Sequence, residues 1–246
     1  APYTCPPDFL KKVASAAQSL GAEIHIHMAE TQAEVEQIVK EYGKRPFRYG
    51  EETGLFDGKG TLAAHCVHRD DEDIAIIKKH AIRVAHNPGS NMTLASGIAP
   101  VPRLLKEGVC VALGTDGASS NNNLDMLEEL NLAALRHKVS TLAPLAVPAR
   151  TALKMGTEYG AKAVGLTSVG KLEVGCKADS TLFHMAVAAW YPRNDLASQL
   201  VYSAHADSAS TVLVDGRVLM EDGELLTLDK ERIFYEAQKC AERLTK

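Results

Sequence analysis

The chain has 246 residues, of which 46% are hydrophobic and 24% are charged. This is ordinary globular composition and excludes a disordered chain. The 27 Lys and Arg against 31 Asp and Glu give a net charge of −4, which argues against a nucleic-acid partner because there is no basic excess to neutralise phosphates. No apolar run approaches the roughly 18 residues that a membrane helix needs, so no membrane partner is expected.

The cysteines and the first residues indicate the compartment and the extent of the chain. The five cysteines are odd in number, and no two have CxxC spacing. A disulfide framework is therefore not expected, and a reducing cytoplasm is the predicted location. The opening APYTCPPDF lacks the basic and apolar regions of a signal peptide and has no initiator methionine. The chain is expected to begin inside a longer protein.

The first two thirds of the chain alternate between helical and strand patterns. Apolar spacing and capping signals predict the following elements in chain order: a helix over 7–20, a strand over 22–28, a helix over 31–43, a strand over 61–67, a helix over 70–80, strands over 81–86 and 109–115, and helices over 124–138 and 148–164. The strands are apolar enough to be buried on both faces. This alternation predicts a parallel β/α architecture.

The pattern changes after about residue 166, where glycine turns separate short strands. TVLVDGRVLM at 211–220 predicts a β-hairpin, because Asp215-Gly216 tolerates positive φ. A last helix is predicted from about residue 229. The sequence therefore divides into a β/α part over 1–165, a β-sandwich segment over 166–228 and a C-terminal helix over 229–246.

Four of the predicted strands end near a residue that suits metal binding or catalysis: His27, His65, His86 and Asp116. The carboxyl ends of parallel strands meet at one face, which in a (β/α)8 barrel carries the active site. Each residue alone has a structural alternative, a core histidine for His27 and His65 and a helix cap for Asp116. Together they predict one shared site.

Two neighbours of these residues leave alternatives open. Glu30 lies three residues after His27 and is either a charge at a helix N-terminus or a general acid and base beside a metal. His86 opens the turn cluster HNPGSNM, which either lines the pocket or needs only turn chemistry, so it is the weaker candidate. His25 shares a strand face with His27 and is expected to lie deeper in the interior.

These motifs resemble a known family. HMAE (27–30), AAHCVH (63–68), AHNPGSNMTLASGIAPV (85–101) and GTDGASSNNNLDM (114–126) are similar to the amidohydrolase superfamily, and more narrowly to its bacterial 5′-methylthioadenosine/S-adenosylhomocysteine deaminase group. The resemblance runs nearly end to end. It implies an α/β fold, the C-terminal half (strands 5–8) of a metal-dependent (β/α)8 TIM barrel, plus part of a small β-sandwich domain.

The resemblance also implies roles, residue by residue. His27 is a metal ligand, and Asp116 is a metal ligand that takes a proton from the attacking water. Glu30 and Asp116 contact the substrate, Glu30 moves a proton to its ring, and His65 polarises the hydroxide or the oxyanion. The implied cofactor is one divalent metal, zinc in preference to Fe(II) or Mn(II), which lowers the pKa of bound water to about 7. The implied reaction is hydrolytic deamination of an adenine nucleoside, which releases ammonia.

The departures from the family limit what this chain does by itself. The family's His-x-His pair on the first barrel strand has no counterpart here, so the N-terminal half of the barrel is expected to be missing. Zinc usually takes about three or four protein ligands, and this chain supplies two. The chain alone is therefore expected to be inactive. Two alternatives stay open: an amidohydrolase acting on a guanine, cytosine or triazine ring, and a silent half-barrel with a scaffold role. A homo-oligomer is also left open.

Overall fold

The computed structural model describes residues 1–245. Its first sheet contains four strands in the order β1-β2-β3-β4, which are Ile24–Met28, Thr61–His65, Arg83–His86 and Val111–Leu113. Each neighbouring pair is parallel. The parallel β/α architecture predicted from the sequence is confirmed, and the arrangement fits half of a (β/α)8 barrel.

Ten α-helices accompany this sheet within residues 1–245. They are α1 (Pro7–Leu20), α2 (Gln32–Tyr42), α3 (Pro46–Glu52), α4 (Asp71–Lys79), α5 (Pro88–Thr93), α6 (Val101–Lys106), α7 (Ala118–Asn121), α8 (Met126–Thr141), α9 (Ala149–Gly156) and α10 (Glu158–Ala163). The helix predicted over 148–164 is therefore two helices, which meet at Thr157. The turn cluster after β3 also differs from expectation, because Pro88 starts the short helix α5 at a position where its missing N–H is harmless.

The two faces of the first sheet have different characters. One row of paired residues faces the helices and is apolar: Ile26, Ala63, Val84 and Val111. The next row of paired residues lies on the opposite face. It consists of His27 and three small side chains: Ala64, Ala85 and Ala112. Successive residues of a strand point to opposite faces, which produces this division. The small side chains leave space on the concave face beside His27.

A second sheet follows and is antiparallel. Its strands, in sheet order, are β5 (Ser180–Phe183), β6 (Ala209–Val214), β7 (Arg217–Glu221) and β8 (Glu224–Leu225). The hairpin predicted at 211–220 is confirmed, with φ of 51° at Asp215 and 78° at Gly216. Two more helices are α11 (Leu196–Tyr202) and α12 (Lys230–Leu244). The division into 1–165, 166–228 and 229–246 stays a proposal.

Candidate metal and catalytic site

His27 and His65 lie side by side at the carboxyl ends of β1 and β2. Their rings stack with centroids 5.2 Å apart and planes at 22°. His27 is exposed on the concave face, whereas His65 is fully buried. His65 and Cys66 both have positive φ, at 71° and 52°, so the chain turns sharply at the last residue of the strand. The left-handed backbone is unfavourable for residues other than glycine and is often found at functional sites.

Asp116 follows β4 and reaches the same place. Its φ is 62°, and its Oδ2 accepts hydrogen bonds from the hydroxyl of Ser90 at 2.7 Å and of Ser120 at 3.3 Å. Partial burial works in the opposite direction, but the hydrogen bonds from Ser90 and from the Gly117 backbone hold the pKa of Asp116 below its ordinary value. Asp116 is therefore a carboxylate over the neutral pH range.

The three side chains form a cluster that suits a metal ion. One ligand atom from each of His27, His65 and Asp116 can be chosen so that all lie within 4.8 Å of one another. The Nε2 atom of His65 is buried and has no hydrogen-bond partner among residues 1–245. It lies 3.8 Å from Asp116 Oδ2 and 3.6 Å from Glu30 Oε2. Two imidazole nitrogens, one of them buried and without a hydrogen-bond partner, and one carboxylate together form a donor set that fits a divalent cation such as zinc.

Glu30 reaches the cluster from the loop after β1. Its Oε1 accepts a hydrogen bond from the Ser96 hydroxyl at 3.0 Å. The carboxylate of Glu34 accepts the backbone N–H groups of Ala29 and Glu30 at 3.1 and 2.7 Å, which fixes this loop. The Thr-x-x-Glu pattern at 31–34 therefore forms only half of a capping box. The Thr31 hydroxyl accepts the Glu34 N–H, but the Glu34 side chain binds the N–H groups of residues 29 and 30 instead of that of Thr31.

The electrostatic surroundings keep His27 available as a neutral ligand. Local desolvation, and then the neighbouring His65 imidazole, lower the pKa of His27. A neutral imidazole offers a nitrogen lone pair to a cation, whereas an imidazolium does not. His27 is thus suited to metal binding at neutral pH.

The remaining histidines near the strands lie outside the cluster. His86 turns toward α8, where its Nε2 lies 3.2 Å from the Nε2 of the equally buried His137. His25 lies on the same face of β1 as His27 and is exposed in this structure, so its expected position in the barrel interior stays a prediction. His68 donates from Nε2 to the Ser96 carbonyl at 2.7 Å and has a structural role in the loop.

Sequence reasoning missed the polar residues that support the site. Asn91 is fully buried, and its Oδ1 lies 2.8 Å from His65 Nδ1. Ser90 and Ser96 bond to Asp116 and Glu30 as described above. All three lie in the turn cluster after β3 or just beyond it, so the density of polar residues there was the available signal. The sequence left open whether this cluster lines the pocket or needs only turn chemistry, and it singled out His86 from the cluster.

A cavity of about 740 Å³ lies elsewhere, between helices α8–α10 and the second sheet. Its lining is mainly apolar and includes none of the four predicted site residues. The candidate site is instead on the open concave face of the parallel sheet. Among residues 1–245, no helix is both long and apolar enough to span a membrane.

Comparison with known proteins gives consistent matches. A model described as "Amidohydrolase family" matches residues 1–219. The chain is 49% identical over 245 residues to a 5-methylthioadenosine/S-adenosylhomocysteine deaminase of Syntrophomonas wolfei, covering 99% of this chain and 57% of that protein. It is 50% identical over 244 residues to a 5′-deoxyadenosine deaminase of Methanosarcina barkeri, with 99% and 56% covered.

A solved structure agrees with these relatives. An adenosine deaminase from Xanthomonas campestris with bound zinc superposes with a TM-score of 0.95 at 32% identity, and the match covers 99% of this chain and 56% of that one. The chain thus spans little more than half the length of the relatives it matches.

Proposed function

The chain belongs to the amidohydrolase family, and we propose that it contributes one half of a metal-dependent deaminase of adenine nucleosides. The observation that carries this proposal is the convergence of His27, His65, Asp116 and Glu30 from three strand ends onto one point. Relatives named as deaminases of 5′-methylthioadenosine, S-adenosylhomocysteine and 5′-deoxyadenosine support this substrate class.

The proposed metal ligands of this half are His27 and Asp116, and the proposed ion is zinc. The zinc bound to the Xanthomonas structure supports this choice. When bound, the ion would supply positive charge that acidifies a water molecule to a pKa of about 7. Because catalytic zinc takes about three protein ligands, we propose that a further protein segment, the other half of the barrel, completes the site.

The side chains of this half would then divide the proton transfers. The unpartnered Nε2 of His65 is placed to accept a hydrogen bond from the attacking water and so to polarise it. Asp116 is ionised and would accept the water's proton. That proton would pass from Asp116 to the amino group, which leaves as ammonia when its bond to the ring carbon breaks. Glu30, whose Oε2 lies 3.6 Å from His65, would carry the second proton of the water to a ring nitrogen as the carbonyl group forms.

Zinc binding by the purified chain is the first test. We expect His27→Gln and Asp116→Asn each to weaken zinc affinity by at least about 10-fold, measured by equilibrium dialysis against a competing chelator. His25→Gln is the matched control, because His25 lies on the same face of the same strand and makes no contact with the cluster. Equal affinity for all three variants and the parent would remove the metal assignment.

Activity is the second test. We expect a longer protein that includes this chain and the other half of the barrel to release ammonia from 5′-methylthioadenosine or S-adenosylhomocysteine, and the present chain by itself to release none. The panel includes adenosine, guanine and cytosine. Release from guanine or cytosine but from no adenine nucleoside would contradict the proposed substrate class.

A further inference from the structure

The segment 88–97, which follows β3, supplies no predicted ligand or catalytic residue, yet it forms hydrogen bonds with three of the four predicted site residues. We propose that this segment is a positioning element, in which Ser90, Asn91 and Ser96 each hold a different site residue. The catalytic importance of this segment rests on the proposed function above. The three hydrogen bonds are independent of that function, because they are present in the chain itself.

Ser90 holds Asp116. Its hydroxyl is fully buried and donates to Asp116 Oδ2 at 2.7 Å, and it also lies 2.9 Å from the hydroxyl of Ser120. A hydroxyl has one hydrogen to donate, and a carboxylate attracts it more strongly than a neutral oxygen. The Ser120 hydroxyl reaches the same carboxylate oxygen at 3.3 Å. These hydrogen bonds fix the orientation of the Asp116 carboxylate.

Asn91 holds His65 and selects its tautomer. The Asn91 amide oxygen lies 2.8 Å from His65 Nδ1 and can only accept a hydrogen bond, so Nδ1 carries the hydrogen. In the neutral ring, Nε2 then presents its lone pair, and this is the atom directed between Glu30 and Asp116. The ring is fully buried, and Nε2 has no hydrogen-bond partner among residues 1–245. Asn91 is therefore the residue whose hydrogen bond selects the tautomer.

Ser96 holds Glu30. Its hydroxyl donates to Glu30 Oε1 at 3.0 Å, which leaves Oε2 as the oxygen that faces His65. The backbone around Ser96 is itself fixed, because its carbonyl accepts from His68 at 2.7 Å. A side chain on Gly97 would place its Cβ only 2.8 Å from Val67 Cγ1. The loop thus packs too closely for Ser96 to move freely.

Both ends of the segment are anchored to α8. Arg136 donates to the carbonyls of Pro88 at 3.1 Å and Gly97 at 2.5 Å. The carboxylate of Glu129 accepts the Gly89 N–H at 3.0 Å. A segment tied at both ends to a partly buried helix is a rigid support, which is what hydrogen bonds to metal ligands and catalytic groups require.

The tautomer of His65 provides a test that needs neither zinc nor substrate. We expect the ¹⁵N histidine spectrum of the purified chain to show His65, assigned with His65→Gln, protonated at Nδ1. Asn91→Asp keeps an acceptor at the same place and should preserve this tautomer. Asn91→Leu removes the acceptor and should shift the ring toward the Nε2-protonated form. If Asn91→Leu leaves the tautomer unchanged, or if Asn91→Asp changes it as much as Asn91→Leu, the assignment of Asn91 is wrong.

Zinc affinity tests Ser90 in the same way. We expect Ser90→Ala to weaken zinc binding by about 10-fold or more, the size typical of groups that orient a ligand. Thr93→Ala is the matched control, since Thr93 lies in the same segment and is exposed, and within residues 1–245 its hydroxyl bonds only to the Gly89 carbonyl. Equal zinc affinity for the Ser90 and Thr93 variants would overturn the role of Ser90. Because the tautomer is read without metal, failure of the deaminase proposal and failure of this one give different results.

Discussion

The buried pair His86 and His137 makes folding stability depend on pH. Burial, followed by the nearby charge of Arg136, lowers the pKa of His137 from 6.5 to about 4. Burial and the neighbouring His137 also place the pKa of His86 well below its ordinary value. The Nδ1 atoms of both rings have no hydrogen-bond partner among residues 1–245, so neither ring has a counter-charge to stabilise its protonated form.

The size of the effect follows from the difference in proton binding. The unfolded chain takes up a proton on His137 near pH 6.5, while the folded chain resists protonation until about pH 4. The contribution to the free energy of unfolding is therefore fully present above the unfolded pKa and is lost as the pH falls toward the folded one. At about 1.4 kcal/mol per pH unit, the total for His137 is ~3 kcal/mol, of which ~2 kcal/mol is lost between pH 7 and about pH 4.5.

Urea unfolding at these two pH values measures the loss. We expect the parent chain to lose ~2 kcal/mol more stability on acidification than His137→Gln, whose side chain is polar but does not titrate. Carboxylates titrate in both proteins, so the difference between the two isolates His137. His184→Gln, at an exposed histidine, is the control and should behave as the parent does. A pH dependence that is the same in all three proteins would refute the assignment of an uncharged buried pair.

Three further predictions concern the fold, each measured by urea unfolding. Asp73→Ala should destabilise by about 2 kcal/mol or more, because the buried Asp73 carboxylate completes a capping box and pairs with Arg45 at 2.8 Å; an effect below ~0.5 kcal/mol would contradict this. Thr31→Ala should cost about 1 kcal/mol through loss of the N-cap of α2, and no loss would show that the cap contributes nothing. Gly170→Ala should destabilise more than Gly175→Ala, since both have positive φ but only the first would bring its Cβ against neighbouring atoms, at 2.7 Å; equal effects would contradict the steric argument.

The sequence predicted those parts of the molecule that depend on local patterns. Apolar runs with glycine and acidic boundaries are enough to locate β1–β4 in order, and Asp215-Gly216 is enough to locate the hairpin. The convergence of residues 27, 65 and 116 followed from one rule, that parallel strands present their carboxyl ends at one face. That rule needs no knowledge of side-chain orientation.

The features that were missed depend on orientation and on contacts distant in sequence. His86 ends its strand in the same helix-facing row of the sheet as His65, but only His65 leaves that row through a left-handed φ of 71°. His86 meets His137 instead, 51 residues later in the chain. Nothing in the local pattern around His86 shows this. Similarly, the role of Asn91 depends on His65, which is 26 residues away, and a cluster such as HNPGSNM is read first as a turn.

The left-handed backbone at His65 and Cys66 has an evolutionary consequence. Glycine would adopt these torsion angles without strain, so replacing either residue by glycine removes an unfavourable backbone term of about 1 kcal/mol while deleting the side chain. The replacement at 65 would also erase an imidazole from the cation cluster. Both side chains are fully buried, however, and deleting either one would leave a cavity that costs more than the backbone term returns. Selection for resistance to heat or protease alone should therefore retain the residues at 65 and 66, so packing protects the imidazole of the cation cluster even when its chemistry is not selected.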